Sequence, residues 1–162
     1  MTIRGFLQNP LWQYFGWLPR ILLQRIFDPE HLASLVSISV QETGDQIVFD
    51  FGTPPNVRVY LKVDNRSPLR VELDRLIIQL WHNGHTSELF NVDRIPICAG
   101  GTKAILVQGL HGVRYAHIDR TSLLSLNIRA YFNSRVVPFK VERNRIEGIH
   151  VTLVNIQNRP AP

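Results

Sequence analysis

From residue 34 onward, apolar and polar residues alternate with a period of two. Val57, Val59, Leu61 and Val63 fall on one face, with Arg58, Tyr60, Lys62 and Asp64 on the other. The same rhythm returns at Leu124, Leu126, Ile128, Ala130 and Phe132. Successive strand side chains point to opposite faces, so these segments predict half-buried antiparallel strands. Further strands are expected at 35–41, 46–51, 71–81, 87–92, 103–110, 136–141 and 149–156. The turns between them carry Thr43-Gly44-Asp45, Thr53-Pro54-Pro55-Asn56, Asn83-Gly84, Ala99-Gly100-Gly101 and Asn133-Ser134. Between Leu73 and Leu76 the apolar phase slips at Asp74-Arg75, as a β-bulge would require. Asn83-Gly84 fits a type I′ hairpin turn, in which both central residues need positive φ. Seven to nine strands at this spacing imply a β-sandwich or a barrel.

The first 27 residues follow another pattern. Trp12, Phe15, Trp17, Leu22, Leu23, Ile26 and Phe27 crowd a stretch that carries Arg4, Arg20 and Arg25 and no acid. Prolines divide it into helical pieces expected at 10–17, 19–27 and 29–35. Asn9-Pro10 and Asp28-Pro29 each suit an N-cap followed by the first helical residue. In the second piece Leu22, Leu23, Ile26 and Phe27 are expected on one face, with Arg20 and Gln24 turned away. Gln8, Asn9, Gln13, Arg20, Gln24 and Arg25 interrupt the run, leaving no stretch of about 18 apolar residues to cross a bilayer. Asp28-Pro29-Glu30-His31 is a poor secretory cleavage site. Aromatic and aliphatic side chains edged by arginine suit a segment lying in the headgroup plane, or docked on a partner. A helical hairpin folded back onto the domain's own core would satisfy the same pattern.

Composition narrows the function classes. With 162 residues and 44% hydrophobic positions, one domain is the natural expectation, and roughly 70% of the unfolded surface is available for burial. The expected organisation is an apolar anchor or docking segment at 1–33, a β-sandwich at 34–156 and a flexible tail at 157–162. The net charge of +5 comes from scattered residues, mostly arginines beside acids, as in Arg70, Glu72, Asp74 and Arg75. That is a solvated strand face and not a phosphate-tracking stripe, so no nucleic acid is expected. Cys98 is the only cysteine and reads as a small core residue.

The chemistry-bearing residues form no recognisable constellation. His82 and His85 flank the Asn83-Gly84 turn near Glu88 and read as loop histidines and not as metal ligands. Gly100-Gly101-Thr102-Lys103 lacks the order and the following helix of a phosphate loop. His117, Asp119 and Ser122 supply triad residue types without a nucleophile elbow. Asn65-Arg66-Ser67 matches a glycosylation sequon, which Pro68 disfavours. No catalytic, cofactor-binding or metal site and no cofactor is expected, and the protein reads as not an enzyme.

Three stretches resemble the late embryogenesis abundant type 2 family, also called the water stress and hypersensitive response domain. They are Val59 to Leu73, which includes Asn65-Arg66-Ser67-Pro68; Leu80-Trp81-His82-Asn83-Gly84; and Ile95-Pro96-Ile97-Cys98-Ala99-Gly100-Gly101-Thr102. The segments Ile118 to Leu124 and Gly148 to Leu153 resemble its closing half. The family usually has adjacent Asn-Pro where this chain separates Asn65 from Pro68. The resemblance implies an immunoglobulin-like or fibronectin-like sandwich without catalytic residues, among stress-protective and membrane-associated proteins. Two functions are then expected. One is a peripheral accessory or scaffold subunit, held on a membrane surface or an integral membrane protein complex and so part of a hetero-oligomer. Its anchor would be Trp12, Phe15, Trp17, Arg20, Leu22, Leu23, Arg25, Ile26 and Phe27. The other is a free stress-protection module that binds lipid, protein or small ligands through the sandwich.

Overall fold

The computed structural model describes residues 20–82, 85–111 and 124–156. Two short helices, α1 (Arg20–Ile26) and α2 (Pro29–Leu35), lead into the strands. These are β1 (Val36–Val40), β2 (Ile47–Asp50), β3 (Asn56–Asn65), β4 (Val71–His82), β5 (His85–Asn91), β6 (Ile95–Ile97), β7 (Thr102–Leu110), β8 (Leu124–Ser134), β9 (Phe139–Ile146) and β10 (Val151–Val154). The expected helix at 10–17, the Asn83-Gly84 turn and the tail at 157–162 lie outside the described residues.

Among the described residues the strands form two five-stranded sheets. In the first, β7 pairs along one edge of β3 from Asn56 to Asp64, while β2 and β1 share its other edge and β10 follows β2. In the second, the order is β5-β4-β8-β9, with β6 pairing the start of β4. Every second residue of β3 and β8 is buried, so the predicted alternation is also the packing rule. Phe49, Leu61 and Val107 from the first sheet and Leu76, Leu126 and Phe132 from the second belong to one apolar core. Each such side chain withdrawn from water contributes roughly 1.5–3 kcal/mol.

The bulge is present: Leu73 faces Phe132 and Arg75 faces Tyr131, leaving Asp74 without an opposite residue. It returns Leu76, Ile78 and Leu80 to the core side after Val71 and Leu73.

Four expectations are corrected. The arrangement is not wholly antiparallel, because β10 runs parallel to β2 from Val151 beside Ile47 to Val154 beside Asp50. Alternation reports burial and carries no strand direction. The strand expected at 136–141 begins at Phe139 and extends to Ile146. Ser134 Oγ holds the preceding turn by accepting from Val136 N at 3.1 Å and Val137 N at 3.0 Å, and Pro138 has no N–H to pair. The short strand β6 was not anticipated. Cys98 is exposed, because its neighbour Ile97 takes the inward phase of β6.

Candidate docking surface

The chain turns sharply between the helices for a local reason. Asp28 is extended (φ −76°, ψ 169°), as a residue before proline prefers, and its carboxylate accepts from His31 N at 2.7 Å as the N-cap of α2. Pro29 sits at the start of α2, where no N–H is needed. Among the described residues, side-chain burial and two hydrogen bonds fasten the pair of helices to one end of the sandwich. Leu23, Phe27 and Leu32 enter the core, Gln24 Nε2 donates to Val136 O at 3.2 Å, and Arg66 N donates to Leu35 O at 2.9 Å.

This fixes the rotation of α1 and divides the expected anchor residues. Leu23 is fully buried and Phe27 is 2% exposed, so these two hold the helix on the domain and are not available to a membrane or partner. Gln24, expected to point away, faces the domain through its bond to Val136. The opposite arc carries Ile21, Leu22 and Ile26 at 70%, 46% and 49% exposure, with Arg25 exposed among them. The sequence identified α1 as apolar but misjudged its inner face, because apolar residues occupy both sides of the helix. Ile21 was missing from the expected set. Arg20 begins α1, and its side chain, like Trp12, Phe15 and Trp17, lies outside the described residues.

The corner beside α2 is held by a buried polar cluster. Asn65, 1% exposed, ends β3 and donates through Nδ2 to Leu69 O at 2.8 Å and Cys98 O at 2.9 Å. Its Oδ1 accepts from Ser67 N at 3.0 Å and Ser67 Oγ at 2.6 Å. One amide thus ties the β3–β4 corner to the turn after β6, which leaves the sequon asparagine inaccessible. Asp64, on the outward side of β3, accepts from Thr102 Oγ1 at 2.6 Å and lies 3.4 Å from Lys62 Nζ. The Thr102 hydroxyl, followed by Lys62, holds its carboxyl below the usual range. Thr102 and Lys103 open strand β7 directly, and Gly100, at φ +64°, makes the turn that precedes it.

Histidines occupy the other end. His82 is buried, contrary to the loop reading, because it continues the inward phase of Leu76, Ile78 and Leu80. It pairs in register with His85 and lies 6.4 Å from the Phe49 ring, centre to centre. The sequence reading passed over His111, which is buried against Phe49 and Phe51, both at 5.2 Å. Its Nε2 donates to Asp50 O at 3.2 Å, since a carbonyl can only accept. Asp50 itself accepts from Asn155 Nδ2 at 2.7 Å and Gly52 N at 2.9 Å, bonds that lower its carboxyl pKa and join β2 to the residue after β10. Among the described residues, no three histidine, cysteine or acidic side chains gather as metal ligands would. No helix among them is long and apolar enough to cross a membrane. His117, Asp119 and Ser122 lie outside the described residues.

No family model and no curated protein sequence matches the chain. Among solved structures, a target of the Northeast Structural Genomics Consortium is similar over 81% of this chain and 96% of its own, at 9% identity and a TM-score of 0.51. A protein from Archaeoglobus fulgidus is similar over 71% and 96%, at 11% identity and a TM-score of 0.38. A candidate late embryogenesis abundant protein solved in solution is similar over 91% and 84%, at 11% identity and a TM-score of 0.37. The first reaches the similarity at which two chains share a fold, and it shows the fold alone.

Proposed function

We propose that this protein is a non-enzymatic accessory module held at a membrane surface by its N-terminal segment, with the outer arc of α1 as part of the contact. The observation that carries the reading is the division of α1. Leu23 and Phe27 clamp the helix to the core, while Ile21, Leu22 and Ile26 remain in water beside Arg25. An apolar arc held rigidly outward suits the boundary between headgroups and acyl chains.

We read the two-sheet domain as the immunoglobulin-like sandwich of the late embryogenesis abundant type 2 kind. The Asn65 corner and the Ile95 to Thr102 passage into β7 support that reading, because there the resembling residues do structural work.

The apolar arc alone binds weakly. With about half to two-thirds of each side chain still in water, withdrawing Ile21, Leu22 and Ile26 is worth roughly 3–4 kcal/mol. Micromolar association needs about 8 kcal/mol before ordering costs. The balance falls to Trp12, Phe15 and Trp17 and to charge. The test is co-sedimentation of the full chain with vesicles of phosphatidylcholine and phosphatidylserine. Leu22→Ser with Ile26→Ser should lower the bound fraction at any ionic strength without lowering the melting temperature. Binding to native membranes with none to vesicles would assign the surface to an integral membrane protein.

A further inference from the structure

The helical end of the domain gathers exposed arginines from two separate corners of the chain, and we propose that Arg66, Arg70 and Arg135 form a basic rim that meets anionic lipid headgroups around the α1 arc. This inference rests on the membrane-surface reading above and adds to it the lipid class and a set of residues outside the N-terminal segment.

Backbone contacts establish the placement. Gln24 of α1 bonds to Val136 O, which sets Arg135 beside the helix. Ser134 lies opposite Val71 in the β8–β4 register, so Arg70 adjoins the turn that carries Arg135. Arg66 N bonds to Leu35 O, which joins the β3–β4 corner to the end of α2. Arg25, Arg66, Arg70 and Arg135 are all exposed.

The acids nearby are largely engaged within the fold. Asp28 caps α2, Asp64 is held by Thr102 and Lys62, and Glu72 lies 4.0 Å from Arg94. Glu30, in the first turn of α2, stays exposed. Arg66 acts on Asp64 through space, while Arg25, Arg66 and Arg70 form no ion pair among the described residues.

Charges spread over two corners beside an apolar arc match a plane of many headgroups better than one acidic group on a protein. A bilayer also accepts the apolar arc and the cations together. Each arginine near an anionic surface is worth about a fivefold change in affinity at low salt, so three are worth on the order of a hundredfold.

The experiment compares full-length wild type with Arg66→Gln/Arg70→Gln/Arg135→Gln. The probes are vesicles of phosphatidylcholine alone and vesicles that also contain phosphatidylserine, at low and high salt. The expected result is a loss on the order of a hundredfold on phosphatidylserine vesicles at low salt, shrinking as salt rises, with equal binding of both proteins to phosphatidylcholine. The triple Arg→Lys variant should keep wild-type affinity, because the contact is one of charge. If the glutamine variant melts early, the lysine variant decides: retained affinity supports the rim and lost affinity overturns it. Equal binding of wild type to the two vesicles, or undiminished binding of the glutamine variant, would overturn the rim and leave the α1 reading standing. Failure of wild type to bind either vesicle would overturn the rim and the lipid contact of α1 together, and binding to native membranes would then assign the α1 arc to an integral membrane protein.

Discussion

Asn65→Ala should be among the most damaging single substitutions in the chain that leave the apolar core untouched. The side chain fills four hydrogen-bonding roles at a position only 1% exposed. Truncation does not cost four full bonds, because Ser67 Oγ already lies 3.0 Å from Leu69 O and can turn its single proton there. Ser67 N loses its acceptor in a buried place, and Cys98 O lies at the edge where water can reach it. One orphaned buried donor plus two or three lost net bonds amounts to about 2–4 kcal/mol. In a chain of this length that is a fall in melting temperature of roughly 6–12 °C, readable by circular dichroism, with a matching shift of the urea midpoint. Asn65→Asp is the sharper probe. It keeps the shape but turns an acceptor toward the carbonyls of Leu69 and Cys98, so at neutral pH it should destabilise at least as much as alanine. Acidification should restore part of the loss, because a protonated carboxyl can donate to one of those carbonyls. Ser67→Ala should cost about 1 kcal/mol, since Asn65 Nδ2 still serves Leu69 O. An Asn65→Ala loss under about 1 kcal/mol, or an aspartate variant as stable as wild type at neutral pH, would refute the reasoning that the amide network holds this corner.

Leu23→Ala should destabilise by about 2–5 kcal/mol and Leu22→Ala by no more than about 0.5, so urea titration of the two measures which side of α1 is inner. Gly109→Ala should cost no more than about 1 kcal/mol, because a Cβ there would meet Leu89 Cδ2 at 2.7 Å and that side-chain end must turn aside. Adding Leu89→Ala should recover part of that loss as a non-additive term in a double-mutant cycle. Asp64 has a lowered carboxyl pKa, so its stabilisation is present above the ordinary value of 3.8 and is lost as pH falls through the folded value. Asp64→Asn should therefore melt below wild type at neutral pH, and the gap should close in strong acid; a gap that widens on acidification would contradict this.

The elements readable from sequence were those in which burial alternates cleanly. β3, β4 and β8 are long, paired on both edges and buried on one face, so their residues obey period two and even the slip at Asp74 is visible. Burial is all that this signal carries, so it left the direction of β10 undetermined. In β2, Ile47, Val48 and Phe49 are all buried and there is no alternation to follow. Ile95-Pro96-Ile97 is too short and proline-broken to announce a strand. Both buried histidines were legible from their phase in the strand pattern. His82 keeps phase with Leu80, yet the adjoining Asn83-Gly84 suggested a loop, and His111, in phase with Ile105 and Val107, was passed over. In α1 the apolar residues surround the helix, so periodicity could not distinguish the arc that packs from the arc left exposed. Gln24, a polar residue bonded to a backbone carbonyl of a distant turn, settles the rotation, and no local pattern could have revealed that partner.

The polar corner and the basic rim are consequences of one arrangement. Asn65, Ser67 and Leu69 point inward and are locked by the amide network, which forces Arg66 and Arg70, at the intervening phase, outward. The buried asparagine does in this corner what Leu23 and Phe27 do in α1: an inward contact fixes what the neighbouring residues present to solvent. Arg66 and Ser67 stand between Asn65 and Pro68. Ser67 joins the buried network and Arg66 joins the rim, so these two residues serve both the stability of the corner and its positive charge. Loosening the corner should therefore weaken lipid binding along with stability. Removing the charges of Arg66 and Arg70 should weaken lipid binding and leave the corner's stability intact.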